Sequence, residues 1–483
     1  MNNYKWIKSI LAIFVVLTSC NKTPELIKIG QLKTRNSTEI ESSMWSVGAE
    51  TIDREYSIYA NWKEHLAPLG VKRARIQSGW ARTEKEKGVY SWGWQDSVVY
   101  DMHEKKIKPW MNFSFGNPLY TTYKGDPVRG DIPKTPEAKR AWGEFVKANV
   151  ERYKDIIDEW EIWNEPAFYK KITPEEYVDL VVQTGDTIRS IQPDAKLFLF
   201  SMGHGTLKEQ LADTCIDPDD PCNYPSMVLD ILKERNRMDL VDAITIHPYE
   251  YNPDEVTNVY HEFEEFLSKY SNEILIVQGE CGAPSSENKK RALANYPWTE
   301  RSQAKWALRR MLGDWAYGVY FSSYFGMIDM KYPEEVNEKG LIAINPDKTV
   351  HHLKEGYYAV QNLTAIFDDN IRKIDGFQYE IIDGGRDDIT CHAFLHANSN
   401  KGGIVIWEHD SIPADDNQKE IINLEIEKLS FSDPVLVDLR TGEVFDFSPF
   451  LSKNEKGNLL SSLPVYDSPL LVVDRSIINI KLD

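Results

Sequence analysis

The stretch Trp160-Glu161-Ile162-Trp163-Asn164-Glu165-Pro166 sets an amide and a carboxylate side by side at the end of an apolar segment. The residues leading into it alternate well enough to predict a β-strand. Pro166 ends that strand, because proline cannot donate to a sheet ladder. Barrel enzymes keep their catalytic groups at such strand ends. A lone glutamate is usually a solvated surface residue, so the interpretation of Glu165 depends on the rest of the chain.

Around this stretch, a unit of short apolar run, loop and amphipathic helix repeats eight times between residues 44 and 368. Strands that alternate with helices form a parallel sheet, and eight units predict a TIM (β/α)8 barrel, which is an α/β fold. The predicted strands are 44–49, 71–77, 107–113, 156–163, 195–200, 243–247, 273–279 and 319–324. The predicted helices are 58–69, 95–106, 136–153, 174–191, 226–235, 255–271, 301–317 and 351–367.

The sequence pattern changes after Asp368. Short apolar runs at 379–382, 389–395, 403–407, 421–426, 434–439 and 470–473 are separated by turns such as Asp383-Gly384-Gly385. Evenly spaced short strands with turn signals are typical of an all-β sandwich. Residues 369–483 are therefore predicted to form a second, C-terminal β-sandwich domain.

The first twenty residues look like an export signal. Lys5 and Lys8 precede an apolar run at 10–17, which is too short to span a bilayer. Leu17-Thr18-Ser19-Cys20 resembles a bacterial lipobox, and this resemblance implies cleavage before Cys20 and lipid attachment to its thiol. The alternative is an ordinary cleaved signal with a chance cysteine. Residues 21–43 are predicted to be a tether, so membrane contact would be through the lipid alone, at the bacterial cell envelope.

Composition limits the classes of partner and cofactor. The net charge is −19 without a basic block, which argues against nucleic acid. Export permits disulfides, and Cys215 and Cys222 bracket a turn-rich loop where we expect one. The acids inside that loop lack the spacing of a known calcium site, and nothing resembles a zinc signature. We therefore expect no metal and no cofactor.

A second carboxylate ends the seventh predicted strand. Glu280 follows the apolar run 274–277, three strand-helix units after Glu165. In a barrel, strands four and seven face each other across the mouth. Glycoside hydrolysis needs two converging carboxyl groups, one protonated to assist the leaving oxygen and one ionised to meet the positive charge at the anomeric carbon. Close placement separates their pKa values through like-charge repulsion.

At these residues the sequence resembles the clan A glycoside hydrolases, the retaining (β/α)8 group. Their signature is an Asn-Glu pair, often followed by Pro, at the end of strand four and a Glu at the end of strand seven. Asn164-Glu165-Pro166 and Glu280 match it. The resemblance implies that Glu165 is the acid/base, that Glu280 is the nucleophile and that Asn164 binds the sugar 2-hydroxyl.

The resemblance extends to further substrate-site residues. Arg75 matches an arginine at the end of strand two that contacts the nucleophile, with Arg73 as the competing candidate. His247 and Tyr249 match a pair on strand six that lines the site, and Asn112 on strand three is a weaker candidate.

Within the clan, the chain looks most like the family 39 β-xylosidase-type enzymes. The stretch Gly79-Trp80-Ala81-Arg82-Thr83-Glu84, followed by Gly88-Val89-Tyr90-Ser91-Trp92, carries this likeness. One departure is Gln278, because many relatives have Trp or Thr two residues before the nucleophile.

The chain has 14 Trp, and aromatic faces stack on the apolar faces of sugars. Trp80, Trp110 and Trp163 lie near predicted strand ends and are expected sugar platforms. Trp298 and Tyr324 are expected at the rim of the site.

Three other side chains compete for a role. Glu50 and Glu250 follow predicted strands one and six and are ranked as substrate contacts. Cys281 invites thiol catalysis but has no evident His or Asn partner. The sequence predicts a retaining β-glycosidase acting on an oligo- or polysaccharide of plant, algal or host origin. A glycan-binding lipoprotein on an inactive barrel and a transglycosidase are the alternatives, and exo or endo action stays open.

Overall fold

The computed structural model describes residues 25–121, 131–167, 172–203, 223–382, 387–399, 401–427, 429, 431–453 and 457–482. Eight parallel strands close into a barrel in chain order, which confirms the predicted fold class. These strands are β1 Trp45–Gly48, β2 Arg73–Gln77, β3 Lys108–Phe113, β4 Glu159–Ile162, β5 Lys196–Gly203, β6 Ala243–His247, β7 Leu275–Cys281 and β8 Ser322–Tyr324. β8 pairs with β1 through Ser322 and Trp45, and this pairing closes the barrel.

Helices surround the barrel at Tyr59–Trp62, Gly93–Glu104, Pro136–Tyr153, Pro174–Ile191, Tyr224–Glu234, Val256–Ser268, Glu300–Tyr317 and Glu355–Ile366. The two helices predicted at 136–153 and 174–191 have the strongest start signals. Thr135 and Thr173 accept hydrogen bonds from backbone N–H groups of the first turn, and each precedes a proline at the first helical position. Proline is preorganised there, because its missing N–H has no partner in a first turn.

Three predicted elements are much shorter in the structure, and one of them, the strand expected at 319–324, is only Ser322–Tyr324. The helix expected at 58–69 is a single α-helical turn, Tyr59–Trp62, followed by the 3-10 turn Lys63–His65. The strand expected at 156–163 is only Glu159–Ile162, because the N–H groups of Ile156 and Ile157 bond back to Tyr153 and close the preceding helix.

The C-terminal region forms two antiparallel sheets that enclose their own apolar core, which confirms the predicted sandwich. The smaller sheet contains Tyr379–Ile381, Glu420–Ile426, Asn458–Val465 and Leu451–Lys453. The larger sheet contains, in spatial order, Ile371–Lys373, Ile389–His396, Gly402–Glu408, Leu470–Asp474, Pro434–Asp438, Glu443–Asp446, Ile27–Leu32 and Ile480–Leu482.

The predicted tether is wrong where the N-terminal segment joins this sheet. Ile27–Leu32 is a strand that pairs antiparallel with Glu443–Asp446 on one side and with Ile480–Leu482 on the other. Its side chains alternate only weakly in polarity, so the sequence pattern does not reveal it. The segment stays ordered because two strands from the far end of the chain satisfy its backbone.

The helix Glu300–Tyr317 lies between barrel and sandwich, and buried ion pairs fix it there. Lys305 Nζ lies 2.6 Å from Asp467 Oδ1 in the sandwich. Arg309 pairs with Asp254, whose other oxygen accepts from Trp407 Nε1 of the sandwich at 2.9 Å. Buried charges are stable only when paired in this way. No helix in the described part of the chain is long and apolar enough to cross a membrane.

Two groups of predictions fall outside the described residues. One is the export signal with Cys20, and the other is the disulfide between Cys215 and Cys222. Cys281 and Cys391 are buried free thiols.

Candidate active site

Glu165 and Glu280 converge at the carboxyl ends of β4 and β7, with His247 of β6 between them. His247 Nδ1 lies 3.0 Å from Glu165 Oε1 and 3.7 Å from Glu280 Oε2. One oxygen of Glu165 and one of Glu280 lie within 4.8 Å of each other. Both carboxyl groups are partly exposed, whereas the imidazole is fully buried. The two acids therefore share one opening at the mouth of the barrel.

The backbone at the end of β4 is strained where it turns toward this opening. Trp163 and Glu165 both have positive φ, 65° and 47°, a region that residues with a side chain rarely adopt. The turn is held by hydrogen bonds to Trp163 O from Asn112 Nδ2 at 2.8 Å and from Ser201 Oγ at 3.2 Å. Strain of this kind costs about 1 to 3 kcal/mol and persists only where neighbours fix it.

Arg75 lies beneath the two acids and hydrogen-bonds several side chains of the site. Its guanidinium is fully buried and meets Glu161 Oε2 through Nε at 2.9 Å and Nη2 at 2.6 Å. Nη2 also donates to Asn164 Oδ1 at 2.8 Å, and Nη1 donates to Glu280 Oε2 at 3.1 Å. These contacts fix the Asn164 amide and orient the Glu280 carboxylate.

The choice between Arg73 and Arg75 is settled by their positions on β2. The side chain of Arg73 lies two residues earlier, toward the opposite end of the barrel, and pairs with Glu159 at 3.3 Å. Arg73 therefore belongs to a lower layer of the barrel interior and does not contact Glu280.

Tyr249 and His247 complete the surroundings of the two acids. Tyr249 donates its hydroxyl to Glu280 Oε1 at 2.8 Å. Burial and the neighbouring Glu280 charge raise the pKa of Tyr249 well above its usual value, so the hydroxyl keeps its proton. Burial alone would lower the pKa of His247, but the charge of Glu280 and the hydrogen bond with Glu165 outweigh it and raise that pKa.

The three competing candidates are all buried. Glu50 is buried beside Arg75, with its Oε1 3.2 Å from Nη1. Burial raises the pKa of Glu50 to about 7. The charge of Arg75 lowers this pKa, and the charge of Glu280 raises it further. Glu250 is also buried. Cys281 is buried too, and burial raises the pKa of its thiol to about 12, which argues against a thiolate nucleophile.

The prediction that Trp80 and Trp110 are sugar platforms is wrong, because neither ring has exposed surface. Trp80 donates to Glu84 Oε2 at 2.5 Å and stacks against Tyr120. Trp110 fills the barrel interior below Arg75, which lies over its ring at 5.4 Å. Strand ends alone do not distinguish a ring that points into the barrel or its helical layer from one that faces the opening.

Three further predicted aromatic contacts and Asn112 are also buried. Trp163 is 2 % exposed, Trp298 3 % and Tyr324 1 %, so none offers a face to a sugar, and the rim assignment is wrong. Trp298 donates to Leu293 O at 2.8 Å. Asn112 is fully buried and holds Glu161 and the Trp163 carbonyl, so its role is to support the site and not to bind substrate.

Three residues of the site were not singled out from the sequence. Glu161 accepts from Arg75 and Asn112, and Ser201 on β5 donates to Glu161 Oε1 at 2.6 Å. Lys339, from the segment after β8, lies 5.3 Å from the centre of the Tyr249 ring. Burial lowers the pKa of Lys339 to about 7. The sequence did contain a signal for Glu161. Side chains alternate along β4, so Glu159 and Glu161 both point into the barrel, where they meet Arg73 and Arg75.

Glu165, His247 and Glu280 lie close enough together to resemble a set of metal ligands. Both oxygens of Glu280 already have donors, however, from Tyr249 and Arg75. Arg75 also supplies a fixed positive charge to Glu280. The arrangement therefore suits proton transfer and covalent chemistry at carboxylates, and we assign no metal ligands here.

The fold is similar to those of several solved structures. A family 39 glycoside hydrolase from the gut symbiont Bacteroides cellulosilyticus WH2 superposes with a TM-score of 0.65 at 17% identity, over 89% of this chain and 81% of that one. A monomeric beta-xylosidase from Caulobacter crescentus CB15 superposes with a TM-score of 0.59 at 14% identity, over 92% of this chain and 97% of that one. A family 30 endoxylanase from Clostridium papyrosolvens C71 superposes with a TM-score of 0.56 at 12% identity, over 92% of this chain and 97% of that one.

The chain shares its fold with the family 39 glycoside hydrolase and with the other two enzymes. The likeness spans both barrel and sandwich, so it confirms the resemblance stated from the sequence at the level of fold. No protein-family model and no curated protein matches the sequence. At identities of this size the fold is what the chain shares, and the activity must be argued from the site.

Proposed function

We propose that the protein is a retaining β-glycosidase that cleaves a β-linked glycan by double displacement. The observation that carries this proposal is the approach of Glu165 and Glu280 to within 4.8 Å, oxygen to oxygen. Retaining glycosidases have carboxyl groups about 5–5.5 Å apart, whereas inverting ones need about 6.5–9.5 Å to admit a water. The gap here is nearer to the retaining range than to the inverting one.

In the first step Glu280 attacks the anomeric carbon, the glycosidic bond breaks, and the proton of Glu165 moves to the leaving oxygen. In the second step Glu165 takes a proton from water, the water attacks the anomeric carbon, and Glu280 leaves as a carboxylate. Arg75 and Tyr249 donate to the two oxygens of Glu280 and favour its ionised form. His247 contacts Glu165 and fixes its orientation.

Asn164 is placed to recognise the sugar. Its Oδ1 accepts from Arg75, which fixes the plane of the amide. The amide lies one residue from Glu165 at the same strand end. We assign it a hydrogen bond to a hydroxyl beside the anomeric carbon, an interaction that strengthens in the transition state.

The test is turnover of aryl β-glycosides by the wild type and by the matched pair Glu165→Gln and Glu280→Gln. Aryl β-D-xylosides come first, because one structural neighbour is a beta-xylosidase and another an endoxylanase. We expect wild-type turnover and loss of activity in both variants, with folding intact by circular dichroism. A glycan-binding lipoprotein would instead bind sugars without turnover, and full activity of Glu280→Gln would refute the nucleophile assignment.

We also propose that the mature protein is anchored at the bacterial cell envelope through lipid on Cys20. The lipobox-like stretch Leu17-Thr18-Ser19-Cys20 supports this. Expression in the presence of a labelled fatty acid tests it: label is expected on the wild type and is expected to be lost in Cys20→Ala.

A further inference from the structure

Two carboxyl groups share one amino group of Arg75. Nη1 lies 3.1 Å from Glu280 Oε2 and 3.2 Å from Glu50 Oε1. The Nε and Nη2 atoms are already engaged by Glu161 and Asn164. Glu50 and Glu280 therefore depend on the same end of a single buried cation.

The charges around this cation do not balance if every acid is ionised. One guanidinium faces Glu50, Glu161 and Glu280, so three ionised acids would share a single permanent positive charge. Uncompensated buried charge is costly, so one acid is expected to hold a proton. Glu161 has four donated hydrogen bonds from three side chains that stabilise its anion.

Glu50 has the weakest support for a negative charge. Its carboxyl group accepts from Arg75 and is stabilised further only by its own backbone N–H, and its Oε2 is buried without a hydrogen-bond partner among the described residues. That oxygen occupies space beside Gly48, where an added Cβ would lie 2.2 Å from it. An unpartnered buried carboxyl oxygen is a natural place for a proton, since a neutral carboxyl is cheaper to bury than a carboxylate.

We propose that Glu50 is a positioning residue that carries a proton while Glu280 is ionised and gives it up when Glu280 becomes a glycosyl ester. This inference rests on the proposed function. When the Glu280–sugar bond forms, the negative charge of Glu280 disappears and the Glu50 O–H proton passes to solvent. When water cleaves the ester, the Glu280 carboxylate returns and Glu50 takes a proton back. Arg75 thus keeps a charged partner on Nη1 throughout.

Few charged groups act on Glu50. Arg75 on β2 lowers its pKa, and Glu280 on β7 raises it. Glu161 on β4 lies on the far edge of the same guanidinium, and His247 on β6 faces Glu280 and Glu165. The coupling between Glu50 and Glu280 therefore runs through Arg75 and through direct repulsion of two like charges.

The coupling is measured without substrate by titrating side-chain carboxyls in protein labelled with ¹³C at the Glu δ-carbon. The Glu50 signal is assigned by its absence in Glu50→Gln, and by its shift in Glu50→Asp if the first variant does not fold. Glu280→Gln mimics the uncharged ester while still accepting from Arg75. We expect Glu50 to titrate at least about one pKa unit lower in Glu280→Gln than in wild type. An unchanged or higher titration, or a Glu50 ionised across the whole range, would overturn the proposal.

Kinetics provide a second readout with aryl β-D-xylosides as probes. Because glutamine cannot ionise, the ester state of Glu50→Gln lacks the charged partner of Arg75 and is less stable than in the wild type, so cleavage of the ester is expected to be faster relative to its formation. Where ester cleavage limits turnover, kcat and KM then rise together, while kcat/KM changes less. A fall in kcat/KM as large as that in kcat, with KM unchanged, would contradict the proposal. Absence of turnover in wild type would refute the proposed function alone, because the titration is independent of activity.

Discussion

Tyr249 donates its hydroxyl to Glu280 Oε1 at 2.8 Å, on the side of the carboxylate opposite Arg75. The two donors fix both oxygens of Glu280, so the carboxylate has one defined orientation at the mouth of the barrel. Tyr249 follows β6 by two residues, and Lys339 Nζ lies over its ring, 5.3 Å from the ring centre.

Tyr249→Phe is expected to lower kcat/KM by about 10- to 100-fold. A hydrogen bond to a charged group contributes about 1.5–3 kcal/mol, and every 1.36 kcal/mol is a factor of ten in rate. Steady-state kinetics with an aryl β-glycoside measure the effect. Tyr251→Phe is the matched control, because its hydroxyl bonds Ala294 O at the exposed surface. Equal kinetics for the two variants would show that Tyr249 does not act on Glu280.

Arg75→Met is expected to destabilise the protein by about 3–5 kcal/mol, the cost of leaving buried carboxylates without their partner. Urea unfolding followed by tryptophan fluorescence measures it. Arg152→Met is the control, because its pair with Asp96 is partly exposed and such pairs contribute about 0–1 kcal/mol. A loss of unfolding free energy for Arg75→Met no larger than for the control would contradict the role of Arg75 as the partner of the buried carboxylates.

Trp80→Phe is expected to reduce stability and leave KM unchanged. The substitution removes the donor to Glu84 Oε2, and an unpaired buried acceptor costs about 1–3 kcal/mol. Thermal unfolding and substrate kinetics on the same preparation separate the two effects. A large rise in KM at unchanged stability would restore Trp80 as a sugar platform.

The pH dependence of stability reports on Glu50. The pKa of Glu50 is raised from 4.5 to about 7 in the folded protein. Between these values the folded state holds a proton that the unfolded state has released, so the wild type loses stability as pH rises from 4.5 to 7. The stability of Glu50→Gln lacks this pH-dependent contribution, because glutamine does not ionise. The difference in melting temperature, wild type minus variant, is expected to fall across that window, and a flat difference would show that Glu50 is not protonated.

The eightfold unit and the acids at the ends of strands four and seven could be predicted from sequence. Strand periodicity and Asn164-Glu165-Pro166 are local signals that do not depend on which way neighbouring side chains point. The seven residues at the end of β4 also contain Glu161, which alternation directs into the barrel beneath the two acids.

The aromatic platforms could not be predicted in the same way. Trp80, Trp110 and Trp298 lie near strand ends or loops, but their exposure depends on packing against distant segments. The strand Ile27–Leu32 was missed for a related reason, since its partners lie more than 400 residues later in the chain. Glu50 and Lys339 gain their shifted pKa values from burial, which is a property of the folded state.

The central claim is that Glu280 forms a covalent bond with the sugar. Incubation with 2,4-dinitrophenyl 2-deoxy-2-fluoro-β-D-xylopyranoside, followed by mass spectrometry of peptides, tests it most directly, because the fluorine slows release of the intermediate. We expect one fluorosugar per chain, carried by the peptide that contains Leu275–Cys281 and located on Glu280. An enzyme that hydrolyses aryl β-xylosides to the inverted anomer, with no label on Glu280, would contradict it.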